Sequence, residues 1–171
     1  MKNSLTPIAV ALLVCGCAAF QAGPSATARL AATSGNTVSG SVTFTQRGDR
    51  VLVAGDIKGL APNKEHGFHV HEKGDCSSGD GMSTGGHFNP DGKSHGAHDH
   101  AEHHAGDLPS LKADSAGNAT INFETTVLRV GQGASDVVGR GLIVHRDPDD
   151  FKTQPTGNSG PRLACAAIVR N

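Results

Sequence analysis

The sequence predicts an all-β protein, an eight-stranded Greek-key β-barrel or sandwich with two long functional loops. Three observations lead there. Short runs rich in Val, Ile and Thr recur along the chain, each bounded by Gly, Asn, Asp or Pro, which is the pattern of strands joined by turns. Glycine is abundant, at 23 residues, while aromatic residues make up only 4% of the chain. Two connections are far longer than ordinary turns.

The first expected strand is Thr27–Ala32. Val38–Gln46 and Arg50–Lys58 follow as a hairpin, because Arg47-Gly48-Asp49 between them is a turn sequence. His66–His71 alternates as a strand does, so that His69 and His71, two residues apart, share a face. Leu108–Ala113 and Ala119–Thr126 are the next two runs. Gly139–His145 ends in Gly-Leu-Ile-Val-His, an apolar run that reads as a buried strand, and Ala164–Val169 is the last. Eight short strands suggest a barrel or sandwich. The stretches Glu72–Gly106 and Arg146–Leu163 are too long for ordinary connections, and both are rich in charged or metal-ligating residues. They are therefore read as the functional site.

The N-terminus reads as an export signal. Lys2 supplies a positive start, and Pro7 to Val14 is an apolar run too short to span a bilayer. Residues 1–17 form the expected signal peptide, 18–26 a tether and 27–171 the domain. Roughly 150 residues then remain, enough for one core. The net charge of −1 becomes −2 once Lys2 is lost, which leaves no basic field for nucleic acid. Any attraction for an anionic substrate must come from local charges.

The chemistry concentrates in histidine. Of ten histidines, His69, His71, His87, His95, His104 and His145 fall, with Asp107, at strand ends and in one loop. A lone histidine is most often a bland core or surface residue, but a set gathered in this way points to metal. Imidazole suits copper and zinc, and a carboxylate in the set is compatible with zinc.

Six segments resemble the copper/zinc superoxide dismutase family. They are Gly67-Phe-His-Val-His-Glu, Gly86-His-Phe-Asn-Pro, Lys93-Ser-His-Gly, His104-Ala-Gly-Asp-Leu, Gly141-Leu-Ile-Val-His and Gly160-Pro-Arg-Leu-Ala-Cys, and they come in the family's order. The resemblance implies copper on His69, His71, His87 and His145. It implies zinc on His87, His95, His104 and Asp107, with His87 bridging. It makes superoxide the substrate, with copper cycling between Cu(II) and Cu(I) to yield dioxygen and hydrogen peroxide. His87 and Arg162 become the catalytic residues, Arg162 by holding the anion. Asp149 becomes the aspartate linking His69 and His95 behind the metals, although Asp147 and Asp150 lie close in sequence. His66 becomes a structural residue beneath the copper site.

The resemblance also pairs Cys76 with Cys165, consistent with an oxidising compartment. The short spacing from His71 to Cys76 and the short loop from His145 to Arg162 look like the bacterial exported type. Val14-Cys-Gly-Cys-Ala resembles a lipobox, which makes Cys17 a lipidation site, with an ordinary cleavage near Ala19 or Ala22 as the competing reading. The protein is thus expected in the periplasm or cell envelope, lipid-anchored there. Assembly into an oligomer is left open. His98, His100 and His103 have no place in the family pattern. They are expected in solvent, with capture of scarce metal as the alternative.

Overall fold

The computed structural model describes residues 23–171, so Cys17 and the expected signal peptide lie outside the described residues. Nine strand segments follow one another: β1 (Ser25–Ala32), β2 (Ser39–Arg47), β3 (Arg50–Lys58), β4 (Glu65–His66), β5 (Phe68–His71), β6 (Leu111–Lys112), β7 (Ala119–Thr125), β8 (Gly141–His145) and β9 (Arg162–Arg170). Among the described residues the only helical turn is a 3-10 turn at Met82–Thr84, and no helix is long and apolar enough to cross a membrane.

The strands are antiparallel and form a seven-stranded sheet in the order β5-β8-β9-β1-β2-β3-β7. β4 pairs with β6 separately. β4 leads into β5 at one edge of the large sheet, and β6 lies against β7 at the other. The small pair therefore draws the two edges together and curls the sheet into a barrel, as expected. If β4 and β5 are taken as one run broken at Gly67, the path has eight strands.

Alternation explains which face turns inward. Val42 and Phe44 on β2 are buried, as are Val51, Val53 and Ile57 on β3 and Ala26, Ala28 and Leu30 on β1. β8 is buried along its whole length, as its apolar run predicts. The β2–β3 hairpin pairs Arg47 with Arg50 across Gly48 and Asp49, and Gly48 takes the left-handed φ of 60° that this turn needs.

Several expected boundaries shift. β1 starts at Ser25, so the last two residues of the expected tether pair with Thr45 and Phe44. The expected strand Leu108–Ala113 shrinks to Leu111–Lys112 because Pro109 cannot donate to a ladder. The final strand is longer at both ends and includes Arg162. His66–His71 breaks because Gly67 turns its backbone to the neighbouring loops: its amide donates to the Asp147 carbonyl at 2.9 Å, and its carbonyl accepts from His145 at 2.9 Å.

Candidate metal centre

β5 and the long loop after it build most of the site. Phe68 and Val70 enter the hydrophobic core, and alternation sends His69 and His71 to the opposite face. The loop folds back over that face and is pinned twice. Val70 donates to the Gly106 carbonyl at 2.9 Å and accepts from Phe88 at 2.8 Å, while Gly106 donates to the Phe88 carbonyl at 2.8 Å. These bonds place His87 opposite His71 and Asp107 opposite His69. His145 arrives from β8, where the register slips between Val144 and His145. A bulge of this kind re-aims the side chain.

The result is two groups of four ligand atoms, each within 4.8 Å of one another: His69, His71, His87 and His145 in one, and His87, His95, His104 and Asp107 in the other. All seven side chains are buried, and His87 alone belongs to both groups. The structure therefore brings together every metal-ligating residue expected from the sequence.

The nitrogens themselves show what the groups fit. In the first group, His71 donates its Nδ1–H to the Gly85 carbonyl at 2.9 Å, and His145 donates its own to the Gly160 carbonyl at 3.1 Å. His69 turns Nε2 to the Asp149 carboxylate at 2.6 Å. This leaves His69 Nδ1, His71 Nε2, His87 Nε2 and His145 Nε2 buried without a hydrogen-bond partner. Four buried lone pairs with no partner carry a desolvation cost unless a cation fills the space between them. An all-imidazole set suits copper.

In the second group the carboxylate of Asp107 lies 2.8 Å from His87 Nδ1, 3.1 Å from His95 Nδ1 and 3.5 Å from His104 Nδ1. Backbone amides of Gly96 and His104 also donate to it, at 3.2 and 2.8 Å. Three imidazoles and one carboxylate make a closed set of four, the number a structural zinc site takes.

The electrostatics agree. Burial and the neighbouring histidines push His145 down to about 3. Burial also lowers His87, to about 4, despite its contact with Asp107. His71 is held well below its ordinary value, first by burial and then by His87 and Arg162. Near neutral pH these rings are neutral and can act as ligands. Burial alone would raise Asp107, but its contacts with His104, His87 and His95 outweigh that and hold it far below the carboxylate range.

Asp149 sits behind both groups. One oxygen is 2.6 Å from His69 Nε2, the other is 2.9 Å from His95 Nε2, and the Phe151 amide donates to the latter at 2.7 Å. Burial opposes the ionised form, yet the contacts with His69 and His95 keep Asp149 well below its usual value. His95 is also penalised by burial, but Asp107 and Asp149 raise it to about 9. Of the three neighbouring aspartates, Asp149 is the one that joins the two groups. Asp147 pairs with exposed Arg146, and Asp150 bonds Thr153. Gly157 makes room for this linkage, because a Cβ there would overlap the Asp149 carboxylate and meet His95 Nε2 at 2.5 Å.

Arg162 stands at the start of β9, three residues before Cys165. Cys165 is bonded to Cys76. The guanidinium donates to the Gly81 carbonyl at 2.6 Å, to Thr84 Oγ1 at 2.7 Å and to the Gly85 carbonyl at 2.8 Å. Gly85 is also the acceptor for His71, so one carbonyl ties the cation to the four-histidine group. His66 is buried and donates Nδ1–H to the His145 carbonyl at 2.9 Å, which supports β8 from below.

Sequence reasoning missed some supporting residues. Gln154 clasps the His95 backbone twice, through Oε1 and Nε2, each at 2.9 Å. Thr84 braces Arg162. Neither carries a signal apart from its place in a long loop. The expectation that His98, His100 and His103 all lie in solvent holds only for His100. His98 is half-buried and His103 is buried, because the turn from Ala97 to His100 swings the following residues inward.

An antiparallel β-barrel that presents two metal-ligand sets joined by one imidazole defines a protein built to hold two metal ions side by side. Residues 38–168 match the model of the family described as "Copper/zinc superoxide dismutase (SODC)". The chain belongs to that family, whose cofactors are copper and zinc and whose enzymatic reaction is superoxide dismutation. It is 40% identical over 137 residues to "Superoxide dismutase [Cu-Zn]" of Paramecium bursaria Chlorella virus 1, covering 77% of this chain and 72% of the relative. It is 36% identical over 172 residues to "Superoxide dismutase [Cu-Zn] 2" of Aquifex aeolicus (strain VF5), covering 98% and 99%. A solved structure described as "Crystal Structure Analysis of the clock protein EA4" superposes with a TM-score of 0.78 at 39% identity, covering 88% of this chain and 97% of that one.

Proposed function

We propose that this protein dismutates superoxide in the cell envelope. Copper would be held by His69, His71, His87 and His145, and zinc by His87, His95, His104 and Asp107. The observation that carries this reading is the position of His87, whose Nε2 belongs to an all-histidine set while its Nδ1 faces the Asp107 set. Bound copper would supply one-electron chemistry, by which one superoxide loses an electron and leaves as dioxygen and a second gains it and, with two protons, leaves as hydrogen peroxide, while zinc would hold charge and loop without redox change.

The remaining work falls to the chain. His87 can take one of the two protons at Nε2 and hand it to the reduced oxygen species, and water supplies the other. Asp149 fixes the rings of His69 and His95, and so determines which nitrogen of each faces a metal. Arg162 holds the incoming anion beside the copper set. Its fixed fork of donors is anchored through both terminal nitrogens by three acceptors, and its charge is felt at His71 and His145.

The envelope location is supported by the sequence of residues 1–17 and by the Cys76–Cys165 bond, which suits an oxidising compartment. In this reading cleavage falls just before Cys17, the last residue of the expected 1–17 leader segment, and lipid on Cys17 anchors the protein. Two measurements test the proposal. Protein loaded with both metals should carry one copper and one zinc per chain and should dismutate superoxide. Mass spectrometry of the mature N-terminus should find lipidated Cys17, and a free N-terminus at Ala18 or later would leave a soluble enzyme instead.

A further inference from the structure

His98 and His103 lie outside both ligand sets, on the turn between His95 and His104. The His100 amide donates to the Ala97 carbonyl at 2.9 Å and closes the turn. This brings the two rings to a centroid separation of 5.6 Å. Ring pairs within the four-histidine group range from 4.0 Å for His69 and His87 to 6.4 Å for His87 and His145. The separation is therefore one that rings sharing a metal ion can adopt.

Both rings have their Nδ1 committed to a carbonyl. His98 donates to Asp107 at 2.9 Å, and His103 donates to His100 at 2.7 Å. Each tautomer is thereby fixed with its lone pair on Nε2, the arrangement in which metal-ligating histidines are held. His71 and His145 are prepared in the same way by Gly85 and Gly160. His103 is only 7% exposed, and its Nε2 is buried without a partner. Such an atom needs an explanation, because a buried nitrogen left unpaired carries an uncompensated desolvation penalty. His98 is half-buried and meets Phe123 edge-on at 5.4 Å, at the margin of the loop and not within the centre.

We propose that His98 and His103 form a further metal site, separate from the two-metal centre, that takes a copper ion. Two imidazole nitrogens satisfy Cu(I), which is stable with as few as two ligands, whereas closed zinc sites take four. Among the described residues neither ring makes an ion pair with a carboxylate, unlike the zinc-type set around Asp107. An ion on this pair would cross-link the turn at the outer side of the loop. His98 also joins it to the Asp107 backbone, whose side chain serves the inner set.

The test uses the full chain already loaded with one copper and one zinc. Cu(I) is added anaerobically under reducing conditions against a Cu(I) chelator of known affinity. Copper is counted per chain, and the histidine ring nitrogens are followed by NMR. The expected result is one further copper per chain, with the Nε2 signals of His98 and His103 shifting on its arrival. His98→Gln and His103→Gln should each lose this ion while the resident copper and zinc are still counted. His98→Gln, at the half-buried position, keeps the test intact if His103→Gln does not fold. The proposal is overturned if the loaded protein takes no third ion, or if both variants retain it, since the ion would then lie on exposed His100 or elsewhere. Failure of the two-metal reading is distinguishable, because copper or zinc would already be missing before the titration.

Discussion

Reversing the charge of Arg162 should slow superoxide capture without emptying the metal centre. The guanidinium is held by three acceptors, Gly81 and Gly85 carbonyls and Thr84 Oγ1, at 2.6–2.8 Å. It is half-buried, and burial lowers its pKa, but it stays charged at neutral pH. A unit charge about 4 Å from a superoxide anion is worth about 4 kcal/mol at an effective dielectric of ~20. Water and salt reduce this, since the Debye length is about 10 Å at 0.1 M. With the whole chain close to neutral, local focusing dominates. Arg162→Glu should therefore lose on the order of ten- to a thousand-fold in rate, the span that electrostatic focusing covers. Arg162→Lys keeps the charge but cannot reproduce the fork that reaches three acceptors, so it should lose part of the rate. The assay is the second-order rate constant by pulse radiolysis across ionic strength, with copper and zinc counted in each variant. The wild-type rate should fall with added salt, and that of Arg162→Glu should not. Equal rates at full copper occupancy would remove Arg162 from the mechanism.

Asp149→Asn leaves one acceptor oxygen for two rings, so copper and zinc affinities should fall about 10- to 100-fold. Chelator competition measures this, and unchanged affinities would mean that packing alone orients His69 and His95. The metal-free protein should lose stability on acidification. The unfolded chain takes up protons on His87 and His145 near 6.5, but the fold does so only near about 4 and about 3, so the loss begins below about 6.5 and runs down to those values. His95 acts in the opposite direction. Its pKa is raised to about 9, so its contribution is complete below about 6.5 and is lost as pH rises through 9. Denaturant titrations of the apoprotein across pH should therefore show a fall on both sides, and a flat profile would contradict these environments. Replacing Cys76 and Cys165 together by Ser opens a link between residues 89 apart and should cost about 2–5 kcal/mol. It should also slow dismutation by loosening Arg162. An unchanged urea midpoint would show that the bond is dispensable.

How far the site could be read from the sequence depended on how local each signal was. His69 and His71 were legible because strand alternation places i and i+2 on one face. His145 was legible as the end of an apolar run, although the bulge that aims it has no sequence mark. The loop ligands His95, His104 and Asp107 carry no periodicity, and only their resemblance to family motifs singled them out. Asp149 could not be separated from Asp147 and Asp150 by spacing, because long-range contacts with His69 and His95 decide the matter. His103, spare beside the family pattern, reads as a solvent residue, but burial depends on a turn at Ala97–His100 that Ala-His-Asp-His does not announce. The expected strand from Leu108 is too long because Leu108 and Leu111 frame Pro109, which confines the ladder to Leu111–Lys112.

The central claim, one copper centre completed by His145 and bridged by His87, is tested most directly by pairing metal counting with turnover in wild type and His145→Ala. His145 belongs to the four-histidine group alone, and its removal leaves the Asp107 set untouched. Wild type should carry one copper and one zinc per chain and dismutate superoxide. His145→Ala should keep its zinc and its β-sheet circular dichroism while losing turnover. Near-wild-type dismutation by His145→Ala, with no copper left in the centre, would contradict the account.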